Sequence, residues 1–188
     1  MNFKKLIETF RKENSYELLD DVKCVHNRET EYGKSFDKNY FLRKELILTL
    51  YKHYNQEDKL LIKWLINEEL KGFDFNIPVQ TLDLCAFMLY KIMDQNDVYD
   101  LYDAKFGAGS DAQSYLDIEL VFGFDKEITK EFLRKSTTSR KRNKIILKTI
   151  DFYDSFPEAK FKTREEYIHY FETKKIKSIT SDLLEFED

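Results

Sequence analysis

The chain is expected to fold as an all-α protein built from stacked antiparallel helix hairpins, either a short α-solenoid or an irregular helical bundle. Three observations lead there. Its 188 residues include only 5 Gly and 2 Pro, too little turn punctuation for a sandwich or barrel of many short strands. Apolar residues recur at three- and four-residue spacing along most of the length. Hydrophobic residues make up 42% and charged ones 35%, enough for one core beneath a solvated surface. At this length a single domain hides roughly 70% of the surface its unfolded chain exposes.

The elements follow in order. Phe3, Leu6, Ile7 and Phe10 fall at helical spacing, and Leu18, Leu19, Val22 and Val25 resume it beyond Asn14 and Ser15. An interrupted helix is therefore expected over residues 1–26. Residues 27–37 lack an apolar period and contain Gly33, which predicts a loop. Helix pairs then fill 38–174. The first spans 39–53 and 56–71, with Asn55 as cap, Glu57 and Asp58 in the first turn, Gly72 as the stop, and Leu46, Leu50, Leu61, Trp64 and Leu65 facing inward.

The second pair spans 79–93, entered through Pro78, and 97–106, capped by Asn96 or Asp97 and ended by Gly107-Ala108-Gly109. The third spans 111–122 and 125–136, divided by Gly123, with Asp125 as cap and Arg134-Lys135 where the helix dipole favours cations. Alternation at 116–120 leaves a strand over 115–122 as the alternative there. The fourth spans 139–154 and 163–173, with Pro157 in the connection and Thr163-Arg164-Glu165-Glu166 matching a capping box. Residues 175–188 read as a tail with one more turn from Ile179 and an acidic end that frays. The pairs begin near 39, 79, 111 and 139, without a fixed period or a repeated residue signature.

Composition narrows the function classes. Against 31 Lys and Arg stand 35 Asp and Glu, a net charge of -4, so a nucleic-acid site would have to be local. Cys24 and Cys85 sit in apolar helical contexts and read as core thiols of a reducing compartment. No run approaches the ~18 apolar residues of a membrane helix, and Met1-Asn2-Phe3-Lys4-Lys5 leads into no secretory stretch. A soluble cytoplasmic protein without a membrane partner is expected. His26, His53 and His169 show no zinc spacing. Asp94, Asp97, Asp100 and Asp103 fan around a helix rather than converge. No metal or cofactor is expected. Gly107-Ala108-Gly109 lacks the third glycine and the preceding strand of a phosphate loop, and neither Ser110 nor the Ser136–Ser139 cluster has a local histidine. Enzymatic activity is the less favoured reading.

Two stretches remain. In a helix over 111–122, Glu119 falls among Tyr115, Leu116 and Phe122, so its carboxylate lies on an apolar face and needs a partner. Lys105 on the preceding helix is the nearest, with Asp111 and Asp117 able to share it or to cap backbone. Lys105, Asp111, Asp117 and Glu119 are thus the expected partner-binding set, against the plainer reading of an acid at the edge of a core face.

The run Ala104-Lys105-Phe106, Asp111-Ala112, Leu116-Asp117-Ile118-Glu119-Leu120-Val121, Gly123 and Thr129 through Phe132-Leu133 resembles a block in poorly characterised bacterial helical proteins. These occur among the accessory and immunity genes around polymorphic toxins. The likeness covers about 30 of the 188 residues. The chain differs by one added residue between Lys105 and Asp111, and by Glu119 where an amide is usual. The resemblance implies an interaction protein that sequesters a toxin or effector, and implies no reaction.

The second stretch is basic. From Lys130 to Lys148 eight cations, Lys130, Arg134, Lys135, Arg140, Lys141, Arg142, Lys144 and Lys148, stand against Glu131 alone. Arg140-Lys141-Arg142 would occupy a first helical turn, where the dipole disfavours cations. Arg134, Lys135, Arg140, Lys141, Arg142 and Lys144 are the expected anion-binding set of the alternative function, a phosphate or nucleic-acid binder. The plainer reading is a solvated helix start.

Overall fold

The computed structural model describes residues 1–29 and 35–186. It is all-α. Among the described residues the only β pairing is an isolated antiparallel bridge between His26 and Asp37. Helix α1 (Phe3–Glu13) begins where the Asn2 side chain accepts from the Lys5 amide and ends at Asn14 in the left-handed region, φ 49°. That reversal stops the helix expected to resume afterwards. Only a 3₁₀ turn, Tyr16–Leu19, follows, and the next amides go to side chains, Cys24 to Glu68 and Val25 to Asp37. Of the loop expected at 27–37, residues 30–34 lie outside the described residues. Its ends meet where the Asn27 amide donates to the Phe36 carbonyl at 2.8 Å.

Helix α2 (Tyr40–Tyr51) leads through Asn55 into a 3₁₀ turn, Gln56–Asp58, and then α3 (Lys59–Gly72). Asn55 and Asp58 form a reciprocal capping box. α3 ends at Gly72 as expected, though the chain runs on into a 3₁₀ turn rather than reversing there. The glycine's backbone is helical, and its value is closeness, since a Cβ there would lie 2.6 Å from Ile77 Cδ1. The reversal comes at Asn76, φ 54°, after the turn Phe73–Phe75. Leu46, Leu50, Leu61 and Leu65 are buried as expected, and Trp64 is half-buried against the same core.

Helix α4 (Val79–Ile92) follows Pro78 and is buried on every side from Thr81 to Tyr90, which makes it the central helix. α2 and α3 pack on it, as do several of the helices that follow. Its C-terminus passes into a 3₁₀ turn, Gln95–Asp97, where Asp94 and Asp97 form a reciprocal capping box, and then α5 (Val98–Phe106), with Asp97 at its N-cap position.

The single helix expected at 111–122 is two, α6 (Gly109–Tyr115) and α7 (Glu119–Phe122), separated by Leu116 in extended conformation at φ -74°, ψ 139°. The strand alternative is equally absent. Lys105 supplies the reason. Its ammonium donates to the carbonyls of Gln113 and Leu116 at 2.7 and 2.5 Å. A continuous helix would have given those carbonyls to the amides of residues 117 and 120. Lys175 takes the Tyr115 carbonyl in the same way at 3.1 Å. Two cations thus hold the C-terminal end of α6, the end a helix dipole makes negative.

Gly123 follows with φ 66° and ψ -128°, a conformation open essentially to glycine. α8 (Lys126–Lys135) starts at Asp125, whose carboxylate accepts from the Glu127 and Ile128 amides. α9 (Arg140–Asp154) packs on α8. Leu133, Ile146 and Ile150 close a second, smaller core with Val98, Ile118, Val121 and Phe122.

α10 (Arg164–Tyr170) opens on the Thr163–Glu166 capping box. It continues through a π turn, Phe171–Lys175, into α11 (Ile176–Glu185). Most of the expected tail is therefore helix, and Ile179 and Leu183 are core residues. Phe171 lies flat on Phe87 with centroids 3.7 Å apart, pinning the π turn to α4. Glu187 and Asp188, the acidic end expected to fray, lie outside the described residues. Cys24 and Cys85 are free thiols. No helix among the described residues is long and apolar enough to cross a membrane.

Candidate functional site

The four residues expected to form one polar site occupy three places. Lys105 and Asp117 belong to a buried cluster with two groups that sequence reasoning missed, Asp83 on α4 and Lys175 in the π turn. Lys175 Nζ lies 2.8 Å from Asp83 Oδ2 and 2.7 Å from Asp117 Oδ2. Asp83 is completely buried, and Lys175 is the cation that holds it. Burial pushes its carboxyl up to about 6 against the pull of Lys175. Burial likewise lowers the Lys105 ammonium, with Asp117 opposing it. On Lys175 the attraction of Asp83 and Asp117 outweighs burial and the ammonium is raised. The Tyr167 hydroxyl is raised by burial, with Asp83 and Asp117 adding to it.

Glu119 is buried beside that cluster, near enough for its charge to act on Lys105 and Tyr167, but its bonds go elsewhere. Its Oε1 accepts from the Lys162 amide at 3.1 Å and faces the Lys162 ammonium at 3.4 Å. It lines a cleft of about 350 Å³ with Tyr90, Phe161 and Arg164, in which neither Lys105 nor Asp111 takes part. Arg164 is stacked between the rings of Tyr90 and Phe124, 4.5 and 4.7 Å from their centroids, and donates to the Tyr90 and Lys91 carbonyls at the end of α4. Asp111 is exposed in the first turn of α6 beside the Ser110 hydroxyl.

The neighbouring acids are also matched by cations of the chain itself. Asp94 pairs with Lys59, and Asp97, fully buried, with Lys59 and Lys63. Asp100 pairs with Lys63 and Asp103 with Arg142. The negative stretch from 94 to 119 is thus largely neutralised inside the fold. Among the described residues no group of three His, Cys, Asp or Glu is arranged to hold a metal ion.

The basic segment divides in two. Lys130 lies under Glu127, Asp151 and Asp154, which raise its ammonium against burial. Lys135 pairs with Glu131. Arg142 pairs with Asp103 and donates to the Tyr99 carbonyl at 2.7 Å. Arg134, Arg140, Lys141, Lys144 and Lys148 are exposed and have no ion pair among the described residues. The outward face of α9 that carries three of them also bears Ile145 and Phe152, 45% and 59% exposed, with Phe156, 48% exposed, just beyond its end.

Asp83 had a signal in the sequence, a lone acid in the most apolar stretch of the chain. Lys175 had none, because the π turn shifts the helical phase that decides which residues face inward. No protein-family model matches the chain, and neither a curated protein nor a solved structure is significantly similar to it.

Proposed function

We propose that this chain is a protein-interaction module, an immunity-type protein that sequesters a toxin or effector. The observation carrying this reading is apolar surface left outside the core. Phe152 and Phe156 pack edge to face in solvent, centroids 5.0 Å apart, and Ile145 stands exposed one helical face-repeat away. Exposed aromatic groups rimmed by charge are what a protein partner covers. The buried ionic cluster supports the reading from the other side. Its cations hold the carbonyls of α6, and none of the clefts at Glu119, His53 or Ser136 is lined by Asp83, Lys105, Asp117 or Lys175. A site for chemistry would bring such groups to a cavity.

The test is co-expression with the products of the genes flanking this one. A stoichiometric complex on size exclusion that suppresses a partner's toxicity supports the reading. Flanking products that leave the chain monomeric and no less toxic overturn it. The five unpaired cations favour a second reading, a nucleic-acid or phosphate binder. That reading expects a duplex oligonucleotide to bind with an affinity falling steeply between about 50 and 200 mM salt.

A further inference from the structure

We infer that the outward face of α9 is a docking surface for an acidic amphipathic helix of a partner protein. This inference deepens the interaction reading and rests on it. The face is laid out along one line. At 100° per residue, positions 141, 144, 145, 148 and 152 fall within about a third of the helix circumference. Lys141, Lys144 and Lys148 occupy one end, Ile145 sits between them, and Phe152 with Phe156 occupies the other. From Lys141 to Phe152 the strip is about 17 Å long, some three turns.

The chain's own ion pairs leave this strip purely positive. The acids of α9, Asp151 and Asp154, are drawn sideways onto Lys130 and Lys126 of α8. Arg142 turns the opposite way to Asp103. Lys141 in the first turn opposes the helix dipole, so helix stability does not account for it. A complementary helix would set carboxylates against the three lysines and an apolar pocket around the two phenyl rings. Nucleic acid suits the strip less well. Its phosphates would need cations along the whole line, whereas half of the line is apolar. The two rings meet at 88° and make a knob rather than a stacking platform.

The probe is a synthetic helical peptide of about 18 residues with Glu along one stripe and Leu and Phe beside it, titrated into the full chain and followed by amide resonances. Binding is expected to shift the signals of residues 141–156. The K141E/K144E/K148E variant is expected to weaken it at least tenfold, on the order of what rim charges control. The F152S/F156S variant is expected to weaken it without changing its salt dependence. Melting temperatures within about 2 °C of the parent check that these surface variants fold.

No binding of the peptide, shifts elsewhere on the surface, or tighter binding of a duplex oligonucleotide or a phosphatidylserine vesicle to the same residues overturns the inference. A complex from the co-expression experiment that survives K141E/K144E/K148E moves the interface elsewhere and leaves the interaction reading standing. Peptide binding without any complex does the reverse.

Discussion

Two of the buried ionic centres among the described residues are built on the same plan, one cation between two carboxylates, and they differ in what the cation is. Near the N-terminal side Arg43 on α2, with no exposed surface, meets Asp37 at 2.6 Å and Glu69 at 2.5 Å and donates to the Val22 carbonyl. Thr81 donates its hydroxyl to Glu69. Near the C-terminal side Lys175 meets Asp83 and Asp117. The guanidinium presents several donors in a rigid fork and stays charged when dry, while the ammonium is a point charge. The arginine centre has closed fully, and although burial opposes the charge, Glu69 and Asp37 outweigh it and leave Arg43 firmly protonated. The lysine centre keeps a way out, since Asp117 retains 26% of its side chain in solvent and Asp83 can take up a proton near pH 6.

The comparison breaks most visibly at Arg43. Arg43→Met strands two fully buried carboxylates, and a loss of about 3–5 kcal/mol is expected in urea unfolding at pH 7. Arg43→Lys is expected to recover less than half of that, because Arg43 reaches Asp37, Glu69 and the Val22 carbonyl from three separate nitrogens and a single ammonium cannot stand in all three places. A full recovery would show that charge alone, rather than fork geometry, holds the centre.

Lys175→Met comes next, with about 3 kcal/mol lost at pH 7. That deficit is expected to shrink towards pH 5 as Asp83 neutralises itself, whereas the Arg43→Met deficit shrinks less. Equal pH slopes in the two variants would abolish the distinction between the centres.

Asp83→Asn sharpens it further. A carboxyl raised in the folded state binds its proton there more readily than in the unfolded chain. Its contribution to stability therefore grows as pH falls from about 7 through 6 towards the ordinary carboxylate range. Relative to Asp83→Asn, the parent is expected to gain on the order of 2 kcal/mol over that interval. A difference that stays flat with pH would place the Asp83 carboxyl in the ordinary range.

The smallest effect is expected outside the core. Lys141→Glu, Lys144→Glu and Lys148→Glu touch no intramolecular ion pair, so each should shift stability by no more than about 0.5 kcal/mol. A larger loss at any of them would mean that the α9 face already serves the fold.

Much of the fold was legible because caps and periodicity agreed. Asn55, Asp125 and Thr163 each start a helical segment where the pattern places one, and Pro78 opens α4. What was hidden was tertiary. Helix propensity carries 111–122 as one unit, yet Lys105 and Lys175 take its carbonyls and break it. The apolar pattern of 18–25 could not reveal that Asn14 turns the chain away or that Glu68 and Asp37 claim the amides that follow.

The polar set was half legible for the same reason. Lys105 and Asp117 do share one cluster, but Glu119 found Lys162, and Asp111 stayed in solvent. The basic segment was visible as composition. Which of its cations would be left free depended on where Asp103, Asp151 and Asp154 ended up, and local spacing does not carry that information.

The π turn at Phe171–Lys175 also constrains how this chain can change over generations. A π turn carries about one residue more than an ordinary helix over nearly the same rotation, so deleting one residue from the outer side of that turn, Thr173 for example, would rewind it to an ordinary helix and leave Ile179 and Leu183 facing α4. The same deletion within α11 ahead of Leu183 would swing that side chain about 100° out of the core. Descendants of this gene should therefore tolerate a lost residue at 172–174 and keep their length along the rest of the segment.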